Sequence, residues 1–209
     1  MPKEFFFDLV SDDVRSAFDE AVRSLQKQGV KVKAISIPLL NETEEAGNQI
    51  AWAEATHYHQ QSGWFPARSA DYGEDVRTRL EMGAKVSATA YLQALESRDK
   101  FIRQFHQAMA AAQVDALVVP TTPIAAPLIG EESTPIGKTN HPTRALLLRL
   151  NRPANLAGIP ALSVPCGFTS AGLPVGLQLI GAVTSESLLL RIAQMAQEIT
   201  PVLRRPNRK

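Results

Sequence analysis

A single cysteine, Cys166, rules out a disulfide within this 209-residue chain. A lone thiol fits a reducing compartment, expected here to be the cytoplasm. No apolar run reaches the length of a membrane span and no secretory leader pattern opens the sequence, so neither a membrane partner nor export is expected. Excess charge is missing as well: 22 basic side chains face 21 acidic ones. That balance removes the electrostatic ground for nucleic acid or an anionic surface as a partner. Neither a GxxxxGK loop followed by Ser or Thr nor a GxGxxG loop occurs, which excludes the common phosphate-cradling motifs. A GxSxG elbow is also absent, and with it the usual α/β-hydrolase nucleophile. Of the four histidines, His106 and His141 have no cysteine or acidic neighbour at ligand spacing. His57 and His59 stand two apart, on different faces of a helix. No metal and no cofactor is expected.

What is present reads as one globular domain over residues 1–209, with 44% hydrophobic and 21% charged residues. Phe5-Phe6-Phe7 forms a short apolar run expected to be a strand. Val14, Ala17, Phe18, Ala21, Val22 and Leu25 then recur at helical spacing, after Ser11-Asp12-Asp13 and before Gly29. Val30 to Ile37 reads as a second strand ended by Pro38, and strand, helix, strand predicts a right-handed parallel crossover. Asn41 with Glu44 opens a further helix that runs on through Ala46 to Gln61. A long helix is predicted from about Ser87 to Ala112, followed by an apolar strand over Val114 to Val119.

Residues 120–142 hold five prolines and read as an ordered loop or lid. A short helical run covers Ala145 to Leu150. Two apolar runs, Ala161 to Pro165 and Val175 to Ile180, flank Thr169 to Pro174 and predict an antiparallel hairpin with a wide connection. Leu188, Leu189, Ile192, Met195, Ala196 and Ile199 give a last amphipathic helix ending before Pro201, and the basic run Arg204 to Lys209 reads as a solvated end. The fold class expected from this order is α/β: a three-layer α/β/α unit with a mixed sheet, parallel early and antiparallel late.

Cys166 follows a strand-like run and is read as a packing residue. Thr121 and Thr122 directly follow the Val114 to Val119 strand, the position at which open α/β folds bind ligands, although Thr-Thr-Pro can equally end the strand and do nothing more. Asn155 is one polar side chain among small residues that let another segment or a ligand come close.

The run Pro153-Ala154-Asn155-Leu156-Ala157-Gly158-Ile159-Pro160-Ala161-Leu162-Ser163-Val164-Pro165-Cys166-Gly167-Phe168 leads on to Gly172-Leu173-Pro174-Val175-Gly176-Leu177-Gln178-Leu179-Ile180-Gly181. Together they resemble the C-terminal part of the amidase signature family. The resemblance extends upstream through Asp115 to Pro123 and reaches Lys3 to Asp8, so it covers nearly the whole chain. It implies an amide hydrolase whose nucleophilic Ser, middle cis-Ser and Lys lie near a Gly/Ser-rich stretch. This sequence has no Ser-Ser pair, and none of its eight lysines precedes such a stretch. No catalytic residue is therefore assigned, and the chain alone is expected not to hydrolyse amides.

The resemblance aligns Arg79 with an arginine that faces the substrate channel in glutamine-using members. A planar guanidinium suits a carboxylate there, though the same residue can serve as half of a surface ion pair on a helix. Glutamine users carry an Asp five residues before the Pro153 position, where this chain has Leu148, which favours a general amidase over a transamidating glutaminase. The expected substrate-binding set is Arg79, Thr121, Thr122 and Asn155. Its partners would be a small-molecule amide in the complete enzyme and either the missing N-terminal half or a second copy of the chain. The competing expectation is a binding or scaffold domain that keeps the amidase shape without its chemistry.

Overall fold

The computed structural model describes residues 1–199, and of the last of these, Ile199, only its helical backbone. The expected stop at Pro201 and the basic run Arg204 to Lys209 lie outside the described residues. Helix α1 (Asp12–Lys27) carries acidic residues in its first turn and a lysine in its last, the arrangement that complements the helix dipole. A 3-10 turn over Pro38–Glu42 leads into α2 (Thr43–Gln61), and α3 (Glu74–Gly83) and α4 (Ala88–Ala112) follow. Ser87 caps α4 by accepting the Ala90 backbone N–H. Then come β1 (Leu117–Pro120), β2 (Ser133–Ile136), β3 (Thr139–Pro142), α5 (Thr143–Arg149), α6 (Arg152–Ala157), β4 (Ala161–Phe168), β5 (Pro174–Ile180) and α7 (Glu186–Ile199).

The main sheet has the order β1-β5-β4 and is antiparallel throughout, with Leu117 opposite Ile180 on one side of β5 and Ala161 opposite Ile180 on the other. Side chains alternate across its two faces. Val164, Cys166, Val175, Leu177 and Leu179 point one way and meet Val14, Phe18, Val22 and Leu25 of α1 and Leu189 and Ala193 of α7. Leu117, Val119 and Ile180 point the other way, onto Phe101, Phe105 and Met109 of α4 and Ala154 of α6. This is the three-layer α/β/α arrangement.

Three expectations are corrected by the structure. Phe5 to Phe7 form a turn, not a strand. Phe5 and Phe6 are adjacent and both buried, with rings edge-on at 5.6 Å, whereas a strand would send them to opposite faces. The turn is closed by Phe6 N–H to the Glu4 carbonyl at 2.8 Å, and Phe5 sits at φ 70°. Val30 to Ile37 alternates in and out at its end, where Ile35 and Ile37 are buried, but has only one isolated parallel bridge, between Pro2 and Ile35. The parallel crossover is thus reduced to that bridge, because period-two patterning reports a buried face and not a hydrogen-bonding neighbour. Residues 120–142 are not all loop, since β2 and β3 pair in a two-stranded ribbon. Pro135 and Pro142 are tolerated because a two-stranded ribbon leaves one side of each strand without ladder bonds to make.

Cys166 lies in the core at 5% exposure, and burial pushes its thiol up to about 12 from 9.0. In the unfolded chain the thiol ionises near its ordinary value. Between about 9 and about 12 the unfolded state therefore binds fewer protons, and stability falls as pH rises through that window. Urea denaturation at pH 8 and pH 10 should show a larger loss for the wild-type chain than for Cys166→Ser. Equal losses would remove the thiol from the account.

Alkylation at pH 8 gives a second reading of the same burial. It should run roughly a hundredfold slower in the native chain than in urea, because only the exposed thiolate reacts.

Candidate functional site

Helix α3 lies unusually close to α2. A Cβ on Gly83 would overlap the Trp52 carbonyl and the Thr56 hydroxyl, so only glycine permits this approach. Thr56 Oγ1, itself buried, donates to the Leu80 carbonyl at 2.9 Å and fixes the register of the pair. Arg79 is thereby held over the Trp52 side of α2. From the opposite direction, α5 and α6 bring Arg144, Leu148, Arg152 and Asn155 to the same place, and a cavity of about 430 Å³ opens between the four helices. A shallower continuation of about 660 Å³ shares Trp52, Arg79, Arg144, Leu148 and Arg152.

The structure brings Arg79, Asn155 and the Leu148 position into one cavity. Arg79 also pairs with Asp75 one turn earlier on α3, so the ion pair weighed from sequence exists beside the cavity-lining role. With Asp75 largely exposed, that pair contributes little stability and does not lock the guanidinium. Asn155 sits in the last turn of α6, which ends at Gly158 in the left-handed conformation, φ 65°. Its side chain is exposed.

Thr121 and Thr122 are not brought to that cavity. Thr121 continues the β1 edge, its N–H donating to the Gly176 carbonyl at 2.9 Å, and its Oγ1 lies 2.6 Å from Ser163 Oγ. Gly176 leaves room for this hydroxyl pair, since a Cβ there would stand 2.6 Å from Thr121 Oγ1. Thr122 donates to the Ile124 carbonyl at 2.8 Å and spends its hydroxyl on the loop. Of the two, only Thr121 presents its hydroxyl at the exposed end of the sheet, beside Ser163.

Sequence reading missed Arg144, Arg152 and Trp52. A signal was there: Arg144, Leu148 and Arg152 recur every four residues and so fall along one face if α5 and α6 are nearly continuous. Burial holds the Arg152 guanidinium below its ordinary value, with Glu44 opposing the shift and Arg144 adding to it. Arg149, between these positions, points elsewhere. It donates to Glu44 Oε2 at 3.1 Å and stacks over the Phe5 ring at 4.0 Å. His59 accepts or donates at Nδ1 with the Tyr72 hydroxyl, 2.8 Å away, anchoring the loop between α2 and α3. Among the described residues no group of three or more His, Cys, Asp or Glu is gathered as a metal site, and no helix is long and apolar enough to cross a membrane.

A family model described as Amidase matches residues 1–190. A glutamyl-tRNA(Gln) amidotransferase subunit of Picosynechococcus sp. (strain ATCC 27264 / PCC 7002 / PR-6) is 33% identical over 221 residues, covering 95% of this chain and 44% of that protein. The chain thus spans less than half the length of the curated relatives it matches. Among solved structures, an amidase crystal structure superposes with a TM-score of 0.88 at 25% identity, over 96% of this chain and 45% of the other. A structure from work on a vestigial protein complex and the evolutionary origins of an s-triazine catabolic enzyme superposes with a TM-score of 0.87 at 27% identity, over 98% of this chain and 43% of the other. A match that runs from the N-terminal turn into α7, together with a shared three-layer fold, makes the chain a member of the amidase family.

Proposed function

We propose that this chain is the C-terminal, pocket-bearing portion of an amidase-type carbon–nitrogen hydrolase, a single domain that supplies sheet, helices and substrate-pocket wall but not the nucleophile. The observation that carries this reading is the convergence of Arg79 with Leu148 and Asn155, some seventy residues further on in the sequence, on one cavity. Amide hydrolysis needs an activated nucleophile, a base to take its proton and donors aimed at the developing oxyanion. Nothing in this sequence offers the family's Ser, cis-Ser and Lys together. The chain's own part is therefore binding and orientation. Arg79 offers a two-pronged donor to a substrate carboxylate, and Asn155 offers an amide that can both donate and accept. Thr121, hydrogen-bonded to Ser163, gives a polar end to the sheet face against which a catalytic half would sit. Leu128 and Ile129, in the loop between β1 and β2, are exposed apolar side chains of the kind a covering partner would bury.

Relatives named as amidotransferase subunits would suggest glutamine as the amide donor. Leu148 argues otherwise, because an apolar side chain cannot accept a hydrogen bond from an α-ammonium group. A general amide is the better-supported substrate.

The purified chain should show no turnover of simple aryl or aliphatic amides above that of a mock preparation. Activity should appear on mixing with the Ser-Ser-Lys half of an amidase. Turnover by the chain alone, at a rate that tracks its concentration through purification, would overturn the reading.

In the reconstituted enzyme, Leu148→Asp should raise the preference for glutamine over an unsubstituted amide by about tenfold, since a polar site gains a partner it can read. An unchanged preference would count against the placement of Leu148 in the substrate pocket.

A further inference from the structure

We propose that Arg144 and Arg152 form a second anion subsite beside Arg79, so that the pocket selects an amide carrying two acidic groups and no ammonium. This rests on the pocket reading above and narrows it to a substrate class. Three arginines line the inner cavity, and no acidic residue does. Arg144 and Arg152 have neither a hydrogen bond nor an ion pair with any described residue. Arg152 is only partly exposed, with Glu44 near enough to oppose its desolvation but not bonded to it, and a partly desolvated cation without a hydrogen-bonded partner is costly unless something anionic joins it.

The neighbouring acids already have partners of their own. Glu44 is taken up by Arg149 at 3.1 Å, and Asp75 is taken up by Arg79. Glu74 and Glu132 border only the shallower outer cavity. The position one turn from both Arg144 and Arg152 is Leu148, so a substrate ammonium placed there would meet two like charges and no acceptor. A second carboxylate placed there would meet two forks. Two carboxylates are small beside about 430 Å³, so volume does not forbid the pair.

Succinate, propionate and β-alanine share a two-methylene carboxylate unit and differ only in what its far carbon carries: a carboxylate, a hydrogen or an ammonium. Titration calorimetry on the full chain at low ionic strength should rank them in that order. Succinate should bind about fivefold tighter than propionate, the size expected for a partly exposed charge-assisted contact. Arg152→Gln and Arg144→Gln should each bring succinate close to propionate while leaving propionate itself nearly unchanged. Arg23→Gln, which removes the same charge from an exposed position on α1, should leave the ranking intact. Circular dichroism reports whether the Arg152 variant is folded, and the exposed Arg144 variant carries the test by itself if it is not.

Equal binding of succinate and propionate would overturn the subsite, as would an equal effect of Arg23→Gln, which would mean attraction by net charge alone. Neither result touches amidase activity on reconstitution. Conversely, a succinate preference that depends on both arginines upholds the subsite even where reconstitution yields no turnover.

Discussion

Burial of β5 on both faces is the constraint from which the rest of the structure follows. Val175, Leu177 and Leu179 must be covered on one side and Ile180 on the other, and each such side chain contributes about 1.5–3 kcal/mol when withdrawn from water. A strand covered twice needs helices on both sides. The chain supplies α1 and α7 to one face and α4 with α6 to the other. The neighbours β1 and β4 satisfy the backbone groups of β5 on its two edges, so the strand is sealed in every direction. What the core leaves outside is the sheet end at Thr121 and Ser163 and the helical annex formed by α2, α3, α5 and α6, where the pocket is proposed.

That annex is held together for a different reason. The main sheet is held by apolar area, whereas α3 is seated on α2 by the absence of a side chain at Gly83 and by one buried hydroxyl, that of Thr56. A close helix contact of this kind admits no intermediate spacing, because interiors are packed too densely to deform gradually. The cavity's third wall stands on α5 and α6, whose short lengths would make them marginal alone; α6 rests on α2 and α4, with Ala154 buried. The arginines in the cavity therefore depend on tertiary packing and not on helix propensity.

Legibility from sequence followed these same physical lines. Helices α1 and α4 were readable because their apolar stripes and their start signals at Ser11 and Ser87 agree. The β4–β5 hairpin was readable because β-branched runs are bounded by Gly and Pro. The Phe5 to Phe7 turn was not, since three adjacent aromatic residues carry no period by which turn and strand differ. Pairing partners were equally hidden: Val30 to Ile37 has a buried face at its end but no ladder, and only coordinates say what lies beside it. Proline in β2 and β3 concealed a ribbon that needs few internal donors. At the site, Arg79 entered by family resemblance and Asn155 as a polar side chain among small residues, while Arg144 and Arg152 escaped notice because arginines on short helices look like ordinary solvated charge until a wall stands opposite them.

Arg149 links regions that otherwise have little in common. Its guanidinium lies on the Phe5 ring, donates to the Phe5 carbonyl at 3.4 Å and reaches Glu44 at the start of α2, while its backbone neighbour is Leu148 in the cavity wall. The side chain next to Leu148 of the cavity wall is thus tied to the N-terminal turn and to α2 at once, so the far side of α5 is fixed by residues that never enter the pocket.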